Sequence, residues 1–124
     1  MAYEVPTYRG DKDFSMDCTG DACIGDIVKF ERAVFSGSFR SPKFSHFELV
    51  EGEIIKDSYG AKSQQHTFTL KNKESIFRIK GRNLYRNKVY RKKWNNESLR
   101  KVSLEEKHVR GEQARLERQM RQNF

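Results

Sequence analysis

The residue pattern changes character once, near Asn96, and that break limits the possible fold more than any other feature. Before it, apolar residues fall at alternate positions in short runs, as in QHTFTL (65 to 70) and SIFRIK (75 to 80). Gly, Asn, Asp, Ser and Pro separate the runs, which is how half-buried strands joined by turns read. After it, the alternation stops. Leu99, Val102, Val109, Leu116 and Met120 then recur three, four or seven apart, on one side of a helix. The chain therefore reads as mainly β (α+β), with five short antiparallel strands forming a small barrel or bent sheet and a C-terminal α-helix.

Three segments follow. Residues 1–23 carry five carboxylates among Gly, Thr, Ser and Pro with little periodicity, and read as an irregular N-terminal arm, with order beginning near Ile24. Residues 24–95 form the β domain, with strands expected in IGDIVKFERAVF, FELVEGEIIKDSYG, QHTFTL, ESIFRIKGRNLYR and VYRKKW, and a bulge or bend at Gly52. SGSFRSPKFSH between the first two reads as a loop. Residues 96–124 form a basic helix capped by Asn96, with a second capping box at Ser103 and Glu106. Glu106 and Gln113 interrupt its apolar stripe, and Gly111 costs about 1 kcal/mol relative to Ala. It is expected to dock near Val102 and to be looser beyond Gly111.

Charge is unevenly spread. Residues 1 to 75 hold 10 Lys or Arg against 12 Asp or Glu, and residues 76 to 124 hold 15 against 5, so the whole net charge of +8 is C-terminal. Such a block meets nucleic acid, an anionic membrane surface or an acidic protein. No apolar run approaches the roughly 20 residues needed to span a bilayer, and the N-terminus has no signal-peptide pattern, so a cytoplasmic protein without a membrane partner is expected. Cys18 and Cys23 are then expected to be reduced thiols.

G-D-I-V-K-F at 25 to 30, followed by E-G-E-I-I at 51 to 55, resembles the opening of KOW-like and other SH3-like small barrels. In those domains a Gly-Asp turn starts the first strand, and a second strand carries Gly before an apolar pair. The resemblance covers residues 25–55 and implies a five-stranded SH3-like barrel of a kind often used to bind nucleic acid, ribosomal RNA or protein segments. It transfers no binding residues.

GRNLYRNKVYRKKW (81 to 94) holds Arg82, Arg86, Lys88, Arg91, Lys92 and Lys93 with no acid among them. With Asn87-Lys88 as a two-residue turn, it predicts a β-hairpin. Alternation would then put Arg82, Leu84, Arg86, Val89, Arg91 and Lys93 on one face, and Asn83, Tyr85, Tyr90, Lys92 and Trp94 on the other. The ring-bearing face is expected inward. The four crowded cations outside would repel one another and be relieved by phosphates, although splayed cations also guard an edge hairpin against aggregation.

Phe39, Arg40, Lys43 and Phe44 in the polar loop could add stacking and charge, and Arg110, Arg115 and Arg118 a helical track. Equally, those arginines pair at helical spacing with Glu106, Glu112 and Glu117. Phe30, Phe35, Phe68 and Phe77 are expected in the core.

Other chemistry has little support. Cys18-x4-Cys23 is an unusual zinc spacing, with His46 and His66 far off in sequence and no second Cys pair, so no metal is expected. Asp57, Ser58 and His66 are triad residue types without an elbow or oxyanion hole. Gln64, Gln65 and His66 could hydrogen-bond a ligand or simply finish a turn. No phosphate-binding glycine loop is present. The reading is a non-enzymatic nucleic-acid-binding module without cofactors, RNA slightly favoured over DNA. The alternative is a small protein-interaction factor, an inhibitor or adaptor docking its basic face on an acidic partner.

Overall fold

A computed structural model describes residues 5 to 59 and 66 to 122. Six strands, β1 (Met16–Asp17), β2 (Ile27–Ser38), β3 (Ser41–Tyr59), β4 (His66–Lys71), β5 (Ile76–Lys80) and β6 (Val89–Arg91), pair in the order β1-β6-β2-β3-β4-β5. Every pairing is antiparallel. A single helical turn, α1 (Arg82–Tyr85), precedes β6, and a long helix, α2 (Glu97–Gln122), ends the described chain. The mainly-β sheet and C-terminal helix are as expected. The sheet ends at β1 and β5, and its ladder is not closed among the described residues.

Alternation sorts the sheet as the sequence suggests. Val28, Phe30, Val50, Ile54, Phe68, Leu70 and Ile79 point to one side, where Leu84, Val89, Cys18 and Ala22 complete the core. Burying rings such as Phe30 and Phe68 contributes roughly 1.5–3 kcal/mol each. Gly52 is not itself the bulge. A Cβ there would lie 3.2 Å from the Lys71 carbonyl oxygen, so glycine permits close strand approach, and the irregularity falls between Ile54 and Lys56.

The segment before Ile24 is irregular in path but not detached. Phe14, Cys18, Ala22 and Cys23 are buried, and β1 pairs with β6. Both thiols are free, and burial, with the nearby Asp26 charge, pushes them up, Cys23 to about 11.

α2 reverses the expected orientation. Leu99, Val102, Val109, Leu116 and Met120 are exposed, whereas Arg100, Lys107 and Gly111 are buried. The helix docks through polar anchors at helical spacing. Arg100 donates Nε and a guanidinium NH2 to Asp26 at 2.8 and 2.9 Å, Ser103 Oγ donates to the Ile24 carbonyl at 2.6 Å, and Lys107 Nζ to the Ala22 carbonyl at 2.6 Å. Arg110 makes two 2.8 Å bonds to Asp57, and Tyr59 donates its hydroxyl to the Lys107 carbonyl.

Carbonyls and carboxylates buried beneath the helix must find donors, and that demand outweighs the pull of the five apolar side chains. Ser103 therefore sits in mid-helix and does not cap, while Asn96 accepts the Ser98 N–H at 2.9 Å as a capping residue does. Gly111 lies against the Tyr59 ring, where a Cβ would sit 3.3 Å away.

Candidate nucleic-acid interface

β2 and β3 are longer than the sheet needs. β6 pairs with β2 only at Val28, Lys29 and Phe30, and β4 pairs with β3 only from Glu53 to Tyr59. Beyond these, residues 31 to 49 pair only with each other, as a two-stranded ribbon closed by the two-residue turn Phe39–Arg40. The expected loop is thus a β-arm.

Its sequence suits that role. Gly37, at φ 90°, lets the strand pass 2.9 Å from the Ser41 carbonyl oxygen, measured from where its Cβ would stand. Ser38 Oγ accepts the Ser41 N–H at 3.1 Å, and Pro42 lies where no third strand requires its missing donor. A register shift between Val34 and Phe35 brings Phe35 opposite Phe44.

Three rings then gather on one side of the ribbon. Phe35 and Phe44 meet edge-on at 6.2 Å, and Phe44 and Phe47 lie 5.0 Å apart. Phe39 at the tip is fully exposed, and Phe35, expected in the core, is 60% exposed. Phe30 and Phe68 are buried and Phe77 packs partly buried against the core, as expected of them.

At the root, Arg32 and Glu48 form an ion pair. From 33 to 47 there is no carboxylate, while Arg40 and Lys43 are exposed with no ion-pair partner among the described residues. Rings unable to bury themselves beside unpaired cations make a surface suited to flat, anionic ligands.

The hairpin expected at 81 to 94 does not form. Residues 82–85 make the helical turn α1, with Arg86 N–H donating to the Arg82 carbonyl, and β6 lies between β1 and β2 instead of folding back on 82 to 86. The assignment of faces is also reversed. Leu84 and Val89, placed on the outer face by the hairpin pattern, are fully buried, while Tyr85 is 39% exposed. Aliphatic side chains have no polar tip to keep wet, so they sink before tyrosines do.

The four cations do not share a face. Arg82, Arg86 and Lys93 are exposed, whereas Arg91 is buried and donates to both Glu97 oxygens at 2.8 and 2.9 Å. Those bonds raise the Arg91 pKa and, with the Trp94 N–H, hold Glu97 down at about 2. Lys92 Nζ sits 5.2 Å above the Phe14 ring, and Lys88 pairs with Asp17. On α2, Arg110 is committed to Asp57, while Arg115 is exposed and Arg118 half-buried on the outer turns.

Asp57 and Ser58 point to opposite sides of β3, so no triad assembles with His66. His66 stacks on Tyr59 at 4.0 Å and hydrogen-bonds Tyr85; burial, then the Lys107 charge, depresses it to about 4. Gln64 and Gln65 lie outside the described residues. Among the described residues no group of three His, Cys, Asp or Glu side chains could hold a metal ion, and no helix is long and apolar enough to cross a membrane.

Residues 23–94, which carry β2 to β6, match the family described as a domain of unknown function, DUF7699, over more than half of the chain. The chain belongs to that family. It is also 40% identical, over 123 aligned residues, to zinc finger CCCH domain-containing protein 62 of Oryza sativa subsp. japonica; the match covers 87% of this chain and 18% of that protein. The chain thus spans under a fifth of the length of that relative. No solved structure matches it.

Proposed function

We propose that the chain is a non-enzymatic nucleic-acid-binding module that grips a single strand with the β2–β3 arm, RNA being favoured over duplex DNA. The observation that carries this reading is the arm itself, in which Phe35, Phe39, Phe44 and Phe47 stand with Arg40 and Lys43 and no carboxylate. Bases stack on exposed rings while cations take phosphates, and α2 presents no organised base-reading face for a duplex groove. Exposed Arg82, Arg86, Lys93 and Arg115 supply a background field and not a shaped contact. The SH3-like relationship belongs to the same proposal, supported by the Gly25-Asp26 turn that opens β2 and by Gly52 in β3.

The test is a titration with short single-stranded RNA, single-stranded DNA and duplex DNA at several salt concentrations. Phe39→Ala with Phe44→Ala should weaken single-strand binding by about 1–3 kcal/mol per stacked base. Replacing Arg40 and Lys43 should lower the salt slope by about 1.4. Tight duplex binding that ignores all four substitutions would remove the arm from the account. A second reading, a protein-interaction factor, is favoured by the five apolar side chains that α2 turns outward. It requires that no nucleic acid bind at physiological salt.

A further inference from the structure

Strand register builds a second cationic surface far from the arm. Lys56, Thr69 and Arg78 lie side by side across β3, β4 and β5, and the next outward-facing rung is Ser58, Thr67 and Lys80. The rung between them, Asp57, Phe68 and Ile79, faces the core, where Asp57 is taken by Arg110. The outer face is thereby left with three cations and three hydroxyls. Its neighbouring carboxylate, Glu53, lies beyond the register shift and opposite Lys71.

We propose that this face, Lys56, Arg78 and Lys80 with Ser58, Thr67 and Thr69, is a phosphate-binding surface that takes the phosphodiester backbone of a nucleic-acid strand. Lys56, Ser58, Thr67, Thr69 and Arg78, together with the apolar Ile76 and Phe77, line an open concavity of about 520 Å³. Neither Lys56, Arg78 nor Lys80 has an ion-pair partner among the described residues. Strands lie about 4.8 Å apart, so Lys56 and Arg78 stand roughly 10 Å apart across Thr69, and their long side chains converge on one anion above its hydroxyl.

Cations on an edge strand also deter edge-to-edge pairing, which would account for Arg78 and Lys80 on β5. It does not account for Lys56, two strands inward on β3, where there is no free edge to protect and the residue directly opposite is the hydroxyl-bearing Thr69. The identity of the strand rests on the nucleic-acid reading above; the anion chemistry does not. Glu51 and Glu53 separate this face from the arm, twelve residues from Phe44 to Lys56 or on the order of 40 Å of strand, so the two contacts are independent.

The test uses the full chain with Lys56→Thr, Arg78→Thr and Lys80→Thr together, since Thr suits exposed strand positions. Probes are a single-stranded RNA oligonucleotide, inorganic phosphate and pyrophosphate. The readouts are the salt slope and the amide NMR shifts of β4 and β5. The triple variant should lower the slope by about 2, from roughly 0.7 per phosphate on a single strand, a roughly 16-fold smaller loss of affinity between 50 and 200 mM salt.

In the unsubstituted protein, RNA should shift the Thr67, Thr69 and Arg78 amides, a readout that survives if the variant fails to fold. RNA binding with an unchanged slope in a folded variant and silent β4–β5 amides overturns this inference and leaves the arm standing. Pyrophosphate shifts without RNA binding make the ligand a free phosphate and overturn the nucleic-acid reading. Silence toward all three probes overturns both.

Discussion

Removing Arg100 exposes the logic of how α2 is held. Asp26 is completely buried and its carboxylate accepts five hydrogen bonds: from the Cys23 N–H at 3.0 Å and thiol at 3.7 Å, from Trp94 Nε1 at 2.8 Å, and from Arg100 Nε and NH2 at 2.8 and 2.9 Å. In Arg100→Met the aliphatic stem survives and the guanidinium does not, so a buried carboxylate keeps three neutral donors and loses its countercharge. Breaking a buried pair in this way costs about 3–5 kcal/mol, a third or more of the stability of many domains of this size.

Replacing both partners should be far milder. Asp26→Asn with Arg100→Met removes both members of the buried pair and leaves only the half-exposed Asp21, 3.6 Å from the guanidinium, without its partner, so the two substitutions should couple by about 1–3 kcal/mol. Trp94 is the single tryptophan of the chain and touches this network, so its fluorescence reports unfolding in a urea titration of the four proteins. A loss below about 1 kcal/mol for Arg100→Met, or strict additivity of the double variant, would refute the claim that α2 is anchored by relieving a buried charge.

Gly111→Leu should destabilise by about 1–3 kcal/mol, despite the better helix propensity of leucine, because the new side chain meets Tyr59; a thermal melt showing a gain would refute this. His66 binds its proton more weakly folded than unfolded, about 4 against 6.5, so its neutral form stabilises the fold fully above pH 6.5. That contribution is lost as pH falls from 6.5 toward 4. Urea midpoints at pH 7 and pH 5 should differ, and His66→Phe should shrink the difference. Glu97, held at about 2, acts lower: its stabilisation is full above its ordinary value of 4.5 and declines below it, so Glu97→Gln should alter the melt at pH 6 more than at pH 2.

What could be read from the sequence was what depends on near neighbours. Alternation placed Phe68, Leu70 and Ile79 inward, the turn residues separated the strands, and Asn96 marked the start of a helix, because each follows from backbone geometry over a few residues. Phe39, Arg40, Lys43 and Phe44 were recognisable as candidate contact residues because a polar stretch surrounds them, although their arm read as a loop. The failure at 81 to 94 has a different origin. A hairpin and a helical turn are both compatible with GRNLYR, and the choice was made by Leu84 reaching the core and by Gly20 donating to the Leu84 carbonyl.

The chain by itself therefore determined a sheet followed by a helix, an excess of positive charge late in the sequence, and an aromatic, acid-free stretch between two strands. Tertiary structure decided which charges remain free. Arg91, Arg100, Lys107 and Arg110 read like the other cations, yet each is taken by a carboxylate or carbonyl that lies from 6 to 85 residues away, whereas Lys56, Arg78 and Lys80 come together only through strand register. Pairing between charges is set by distance in space, and a linear pattern carries no measure of that until the strands are in place.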